Sequence, residues 1–119
     1  MKYLLLIYEA EADWAKILED EKGKIYQEYM DFAKRIRKNG NYLGGEALQP
    51  VSTATTVRVK NGKTLTTDGP FAETREQLGG FFFVEAKDLD EAIALAAAIP
   101  GARTGSIEVR PILPTPTPD

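Results

Sequence analysis

Hydrophobic residues follow two kinds of spacing along this chain, and the two predict strands alternating with helices. Residues 3–8 and 81–84 are apolar without alternation, which is typical of strands covered on both faces. Residues 106–110 alternate between apolar and charged side chains, so they predict a final, half-buried strand. We therefore expect the first strand to lie in the middle of a sheet.

Helical spacing of apolar residues occurs between these strands. A first helical stretch begins near Asp13, whose carboxylate suits a helix N-terminus, and a break is predicted near Gly23. A longer helix follows and ends at Gly40, with basic residues toward its end, where free carbonyl groups favour positive charge. Asp88 and Glu91 have the spacing of a capping box and predict the start of a last helix.

A β-hairpin and an irregular strand are predicted in the centre of the chain. Asn61 and Gly62, a pair suited to positive φ angles, separate the β-branched segments 53–60 and 63–67. Residues 42–50 are interrupted by two glycines and closed by a proline, so they predict a short strand or an irregular edge.

The order of these elements predicts an α+β fold of the ferredoxin-like βαββαβ type with an added β-hairpin. We assign residues 1–112 to a single domain and residues 113–119 to a proline-rich C-terminal tail. Helices cover only one face of such a sheet, and the apolar face that is left predicts a homodimer. The alternative is that the first helical stretch or the tail folds across that face.

Composition narrows the chemistry that the chain can perform. Its 15 basic and 18 acidic residues give a formal net charge of −3, which leaves no positive excess for nucleic-acid phosphates. Cysteine and histidine are both absent, so carboxylates, tyrosine, lysine and arginine remain for acid–base work. No flavin or nicotinamide fingerprint occurs, and we expect neither a cofactor nor a metal site.

The apolar N-terminal run also bears on location. It is far shorter than a membrane span, and it lacks the flanks and cleavage site of a signal peptide. We therefore expect a cytoplasmic protein that binds neither membranes nor nucleic acid.

Residues 68–80, which read DGPFAETREQLGG, resemble the DGPF group of the YCII-related (YciI-like) proteins. The similarity spans nearly the whole chain and includes residues 1–8, 44–50, 57–59 and 106–111. This resemblance implies a dimeric α+β barrel, in which the sheets of two ferredoxin-like chains pack face to face.

The resemblance implies two kinds of function. The broader family includes enzymes, among them a dehydrochlorinase-like lyase, with a site that pairs an aspartate with a histidine. Asp68 matches the aspartate, and no residue matches the histidine because the chain has none. Many DGPF proteins are associated with extracytoplasmic-function sigma factors, which implies a regulatory role linked to such a partner.

The DGPF segment supplies three candidate site residues. Asp68 precedes a Gly-Pro turn, where it acts as a general base or accepts hydrogen bonds from turn amides. Phe71 forms the apolar wall of a ligand pocket or pins its loop to the core. Arg75 binds a carboxylate group of a ligand or belongs to the solvated surface.

Two further candidates lie outside that segment. Arg110 alternates with Val109 and faces the dimer side of the sheet, where it lines a cleft between subunits or pairs with Glu108. Tyr29 belongs to the core stripe of the long helix, and its hydroxyl is a candidate donor in the cleft. Gly80, with the glycine before it, predicts a bulge or a close backbone approach rather than a phosphate loop.

These observations do not identify a reaction, but they favour ligand binding over a regulatory role. We expect a small organic molecule bound in a cleft near Asp68 that is shaped by Phe71 and Arg110, with or without lyase-like acid–base chemistry. The alternative is a non-catalytic regulatory or interaction module associated with sigma-factor-dependent transcription.

Overall fold

A computed structural model describes residues 1–116 and shows an antiparallel sheet with helices on one face. The strands are β1 (Lys2–Glu9), β2 (Tyr42–Ala47), β3 (Thr55–Lys60), β4 (Lys63–Asp68), β5 (Gln77–Glu85) and β6 (Ser106–Pro111). The helices are α1 (Glu11–Trp14), α2 (Glu19–Lys38) and α3 (Leu89–Ala97), with 3-10 turns at Val51–Thr53 and Pro100–Arg103. The sheet order β2-β5-β1-β6, with β3 and β4 paired separately, confirms the ferredoxin-like fold with an added hairpin.

Strand β1 lies in the middle of the sheet, as its two-sided apolar character predicts. It pairs antiparallel with β5 on one side and β6 on the other. Tyr3, Leu5 and Ile7 are buried toward the helices, while the residues between them face the opposite side of the sheet. Each face of this strand therefore contributes to a different apolar surface.

The core lies between this sheet and helices α2 and α3. Phe32 and Ile36 of α2 are buried, and the Phe32 ring meets the Phe82 ring edge to face at a centroid distance of 5.1 Å. Helix α3 buries Ala92 and Ala96, whose small side chains let the helix lie close to the sheet. Helix packing over one sheet face thus closes the core.

The predicted helix break at Gly23 is wrong. Gly23 lies inside α2, and the break falls earlier, between Trp14 and Glu19. A Cβ at Gly23 would meet nothing within 4 Å, so this glycine occupies an exposed helical position. Its cost there, about 1 kcal/mol relative to alanine, is outweighed by the packing of the rest of the helix.

The turn at Asn61-Gly62 and the cap at Asp88 are confirmed, whereas Asp13 lies inside α1, which begins at Glu11 without a side-chain cap. Asn61 and Gly62 have φ values of 52° and 74° and join β3 to β4, as a two-residue hairpin turn requires. At the start of α3, the Asp88 carboxylate accepts a hydrogen bond of 2.9 Å from the Glu91 N–H. These signals are read correctly because each depends on residues close in sequence.

Strand β5 begins earlier than its aromatic run suggests, because the polar residue Gln77 already pairs with β1. The register between the two strands shifts between Ile7 and Tyr8, which is the bulge that the glycine pair predicts. Gly80 also passes close to β2, since a Cβ there would lie 2.8 Å from the Glu46 carbonyl oxygen. The glycines therefore serve close strand packing.

The second face of the sheet is apolar along its two central strands. Leu4 and Leu6 of β1 pair with Phe83 and Phe81 of β5, whereas the alternate residues form the core. The predicted orientation of β6 is confirmed, because its apolar residues Ile107 and Val109 pack on the core.

The first helical stretch and the tail are the alternatives to a dimer as cover for this face. In the described residues, both lie elsewhere. In α1, Trp14 packs against Tyr26 of α2, on the helical side. Ile112, just before the predicted tail, extends the sheet by donating to the Lys2 carbonyl, and Leu113 of the tail is 79% exposed. Residues 117–119 of the tail lie outside the described residues. Within residues 1–116, no helix is long and apolar enough to cross a membrane.

The packing of α2 makes a first prediction. Ile36→Ala removes a fully buried side chain and leaves a cavity, so we expect the free energy of unfolding in urea to fall by about 3 kcal/mol. Ile93→Ala on α3, where the side chain is 50% exposed, is the matched control and should cost less than about 1 kcal/mol. Equal losses in the two variants would contradict this assignment of the core.

Candidate functional site

A cleft of about 550 Å³ opens on the helical side of the sheet, between α2 and the ends of β1, β2 and β5. Six aromatic residues line it, namely Trp14, Tyr26, Tyr29, Tyr42, Phe81 and Phe82. The volume is in the range that small-molecule sites occupy, and a concave, largely apolar cleft with few polar groups is their usual form. The cleft is therefore the candidate functional site.

Small residues keep this cleft open. Gly45 of β2 and Gly80 of β5 line it, together with Ala33 of α2. A Cβ at Gly45 would lie 2.8 Å from a ring carbon of Phe82. A larger residue at this position would displace the aromatic ring and change the shape of the wall.

Glu9 supplies a half-buried carboxylate at the point where β1 ends. Burial raises the pKa of this carboxyl group, and the nearby charge of Glu76 raises it further. A hydrogen bond with Thr104 acts in the opposite direction but does not cancel the effect of burial on the pKa. The fold thus holds Glu9 where its ionised form is disfavoured.

Tyr29 projects from α2 toward the same place. Its hydroxyl accepts a hydrogen bond of 3.1 Å from the Gly101 N–H. Burial, with a smaller effect from the charge of Glu9, raises the pKa of Tyr29 to about 12. The hydroxyl is therefore protonated at neutral pH and acts as a hydrogen-bond donor.

Glu9 and Tyr29 converge over Gly101. A Cβ at this glycine would lie 2.6 Å from Glu9 Oε1 and 2.7 Å from Tyr29 Oη, so only glycine leaves both oxygens in place. The arrangement joins a carboxylate, which accepts protons, to a hydroxyl, which donates hydrogen bonds. Such a pair at the wall of a cleft can bind and polarise one polar group of a ligand.

An ion pair next to Tyr29 fixes the position of Gly101. Arg103 donates two hydrogen bonds to Glu28, at 2.6 and 2.9 Å. Hydrogen bonding with Arg103 lowers the pKa of Glu28, and the same contact raises the pKa of Arg103. Because Glu28 precedes Tyr29 on α2 and Arg103 belongs to the 3-10 turn of Gly101, this pair ties together the two segments that form the site.

The opposite wall is held by Glu11. Its carboxylate accepts a hydrogen bond of 3.0 Å from the Val51 N–H, and its own N–H donates to the Gln77 side chain at 2.9 Å. Glu46 adds a third carboxylate to the lining. Among residues 1–116, no group of three or more acidic residues is arranged to hold a metal ion.

The structure brings one of the predicted site residues, Tyr29, into this cleft. Asp68 ends β4 and is exposed, and the next N–H, that of Gly69, donates to the Ala54 carbonyl at 2.7 Å. Phe71 is 80% exposed, and Arg75 is exposed in the same loop. These three residues do not line the cleft, and their roles in ligand binding stay predictions.

Arg110 lies on the other side of the sheet. It stands opposite Leu4 of β1, and its Nε donates to Glu108 Oε2 at 2.8 Å. The ion pair that the sequence offers as one alternative is thus present in the single chain. A role for Arg110 at a cleft between subunits stays a prediction.

Glu9 is the residue that sequence reasoning missed. Its one signal is position, since a lone carboxylate closes a strand that is otherwise apolar on both faces. Such a residue lies at the edge of the core, where burial changes its pKa. Its partner Gly101 could not be identified, because the two are 92 positions apart in sequence and meet only in the fold.

Fold and cleft together define a class, namely small α+β proteins with a ferredoxin-like sheet and a ligand-sized cleft on the helical side. The chain belongs to the YCII-related domain family, which matches residues 1–116. It is similar to Uncharacterized protein R00369 of Rhizobium meliloti (strain 1021), with 34% identity over 114 residues that cover 94% of this chain and 92% of that protein. The resemblance in residues 68–80 is thereby confirmed at the level of the family, and the DGPF group is compatible with it.

The raised pKa of Glu9 makes a second prediction. Because the fold favours the protonated form, Glu9 stabilises the protein most at low pH, and that contribution is lost as the pH rises through the raised pKa. Glu9→Gln imitates the protonated form, so we expect it to unfold at a higher temperature than wild type at pH 7.

The difference between Glu9→Gln and wild type should shrink as the pH is lowered below the ordinary range of a glutamate. Thermal unfolding measured across this range checks both statements. The matched control is Asp90→Asn, which removes an exposed carboxylate on α3 and should show no such pH-dependent gain. A Glu9→Gln protein less stable than wild type at pH 7 would show that the carboxylate is structural.

Proposed function

We propose that this protein binds a small organic molecule in the cleft between α2 and the sheet, through Glu9 and Tyr29. The observation that carries the proposal is the convergence of these two polar groups over Gly101, at the wall of a largely apolar cleft. The ligand has an apolar body for the aromatic walls and one polar group that contacts both oxygens.

The same pair supports acid–base chemistry on the bound molecule. Burial raises the pKa of Glu9, which brings a carboxylate nearer to the range in which it acts as a general base. Tyr29 donates a hydrogen bond to negative charge that develops on the ligand when a proton leaves. This chemistry needs no histidine, which agrees with the composition of the chain.

A homodimer is part of the proposal. It is supported by the uncovered apolar sheet face, on which Leu6 and Phe81 are neighbours. A second copy related by a two-fold axis would cover this face and leave the helical cleft of each chain accessible. The predicted cytoplasmic location belongs to the same proposal.

A regulatory or interaction module is the second candidate, and the β3–β4 hairpin favours it. Val57 and Val59 are 58% and 69% exposed on this hairpin, which forms a sheet of its own. An exposed two-stranded sheet with apolar side chains suits contact with another protein. The link to a sigma factor rests on the sequence resemblance alone.

The dimer makes a third prediction. Light scattering at micromolar concentration should give twice the chain mass of 13.1 kDa. Leu6→Glu places a charge on the apolar sheet face and should give a folded monomer, since an unpaired charge in an interface is strongly unfavourable. Val57→Glu on the hairpin is the control and should remain dimeric. A wild-type mass near 13.1 kDa would overturn the dimer.

The cleft makes a fourth prediction, for which the fluorescence of the single tryptophan, Trp14, is the readout. In a screen of small phenols, alcohols, amines and acids, we expect at least one compound to shift both this fluorescence and the unfolding temperature. Tyr29→Phe should weaken that binding about tenfold, because one hydrogen bond is lost. Asp68→Asn should bind as wild type does.

The two variants discriminate between the alternatives. Binding lost in Asp68→Asn but kept in Tyr29→Phe would place the site near Asp68, where the sequence predicts it, and would overturn the cleft proposal. No response to any compound would favour the interaction module.

A further inference from the structure

The charges that line the cleft limit the chemical class of its ligand. All of its charged lining residues are acidic, namely Glu9, Glu11 and Glu46, and the described lining contains no lysine or arginine. An anionic ligand would meet repulsion on several sides, whereas a cation would be attracted.

The aromatic walls also favour a positively charged ligand. Two of their rings already lie close to cationic side chains of the protein itself. Lys22 Nζ lies 5.6 Å from the ring centroid of Trp14, and the Arg37 guanidinium lies 4.4 Å from that of Tyr42. Both rings line the cleft, and each therefore already attracts a cation of the protein by the cation–π interaction.

Three basic side chains that lie beside lining residues or their neighbours have contacts of their own. Besides the two that lie over aromatic rings, Arg103 is held in its bidentate pair with Glu28. The Glu9 carboxylate has no such bidentate partner among the described residues, and its polar neighbours are Thr104, Tyr29 and the acidic Glu76. Glu9 is thus a half-buried carboxylate of the lining that can meet a cation from outside.

We propose that the ligand of this cleft is an organic amine, bound in its protonated form with an apolar, preferably aromatic, body against the walls. The ammonium group donates to the Glu9 carboxylate and to the Tyr29 oxygen, while the body packs beside Trp14. This inference rests on the proposed function, because it names the chemical class of the molecule that the cleft binds.

The ammonium also offsets an unfavourable feature of the cleft wall. Glu9 is half-buried near Glu76, and both facts raise the pKa of its carboxyl group. A cation at this point compensates the buried negative charge, which a neutral or anionic ligand does not.

Three probes of similar shape test the inference, since they differ mainly in charge: 2-phenylethylamine, 2-phenylethanol and phenylacetate. Titrated at pH 7 with Trp14 fluorescence as the readout, the amine should bind about tenfold more tightly than the alcohol. Phenylacetate should bind least. Line broadening of the Trp14 indole N–H signal in NMR spectra locates binding in the cleft.

Two variants identify the carboxylate responsible. Glu9→Gln should bring the affinity ratio of amine to alcohol close to one while alcohol binding is retained, which also shows that the variant is folded. Asp90→Asn makes the same change in net charge outside the cleft and should leave the ratio as in wild type. A ratio unchanged in Glu9→Gln would overturn the role of Glu9 as counter-ion.

The outcomes separate this inference from the proposed function. Equal binding of amine and alcohol, or tightest binding of phenylacetate, would overturn the amine inference and leave the ligand cleft standing. No binding of any probe at millimolar concentration would overturn both.

Discussion

The structure depends on the burial of β1 between two neighbouring strands and two apolar layers. Its backbone is paired on both sides, with β5 and β6, and its side chains alternate between the helical core and the second apolar face. A strand in this position cannot move without breaking two ladders and two packed surfaces. Strand β1 therefore holds the residues at its ends in fixed positions.

Glu9 owes its position to that constraint. It closes β1 and pairs in register with Gln77, whose side chain in turn accepts a hydrogen bond from Glu11. Tyr29 approaches from α2, and the Glu28–Arg103 pair holds the turn of Gly101 beneath it. A rigid strand, a helix and a clamped turn thus meet at one point, which is how precise sites are built on folds.

The parts that could be predicted from sequence are those with local causes. The Asn61-Gly62 turn depends on positive φ angles at two adjacent residues, and the central position of β1 follows from its own apolar run. The break at Gly23 was placed wrongly because glycine propensity is weak beside the packing of α2. The meeting of Glu9 and Tyr29 could not be predicted, since it depends on Gly101, 72 residues beyond Tyr29.

The raised pKa of Glu9 supports the proposed ligand site. A residue kept only for stability at the edge of a core would be apolar or fully paired, because burying a carboxylate disfavours its charged form. Here burial raises the pKa of Glu9, the nearby Glu76 raises it further, and the hydrogen bond with Thr104 compensates only in part. Groups with perturbed pKa values are frequent at functional sites, where a ligand can supply the missing interaction. The position of Glu9 therefore supports the proposal that the cleft binds a ligand whose positive charge compensates this carboxylate.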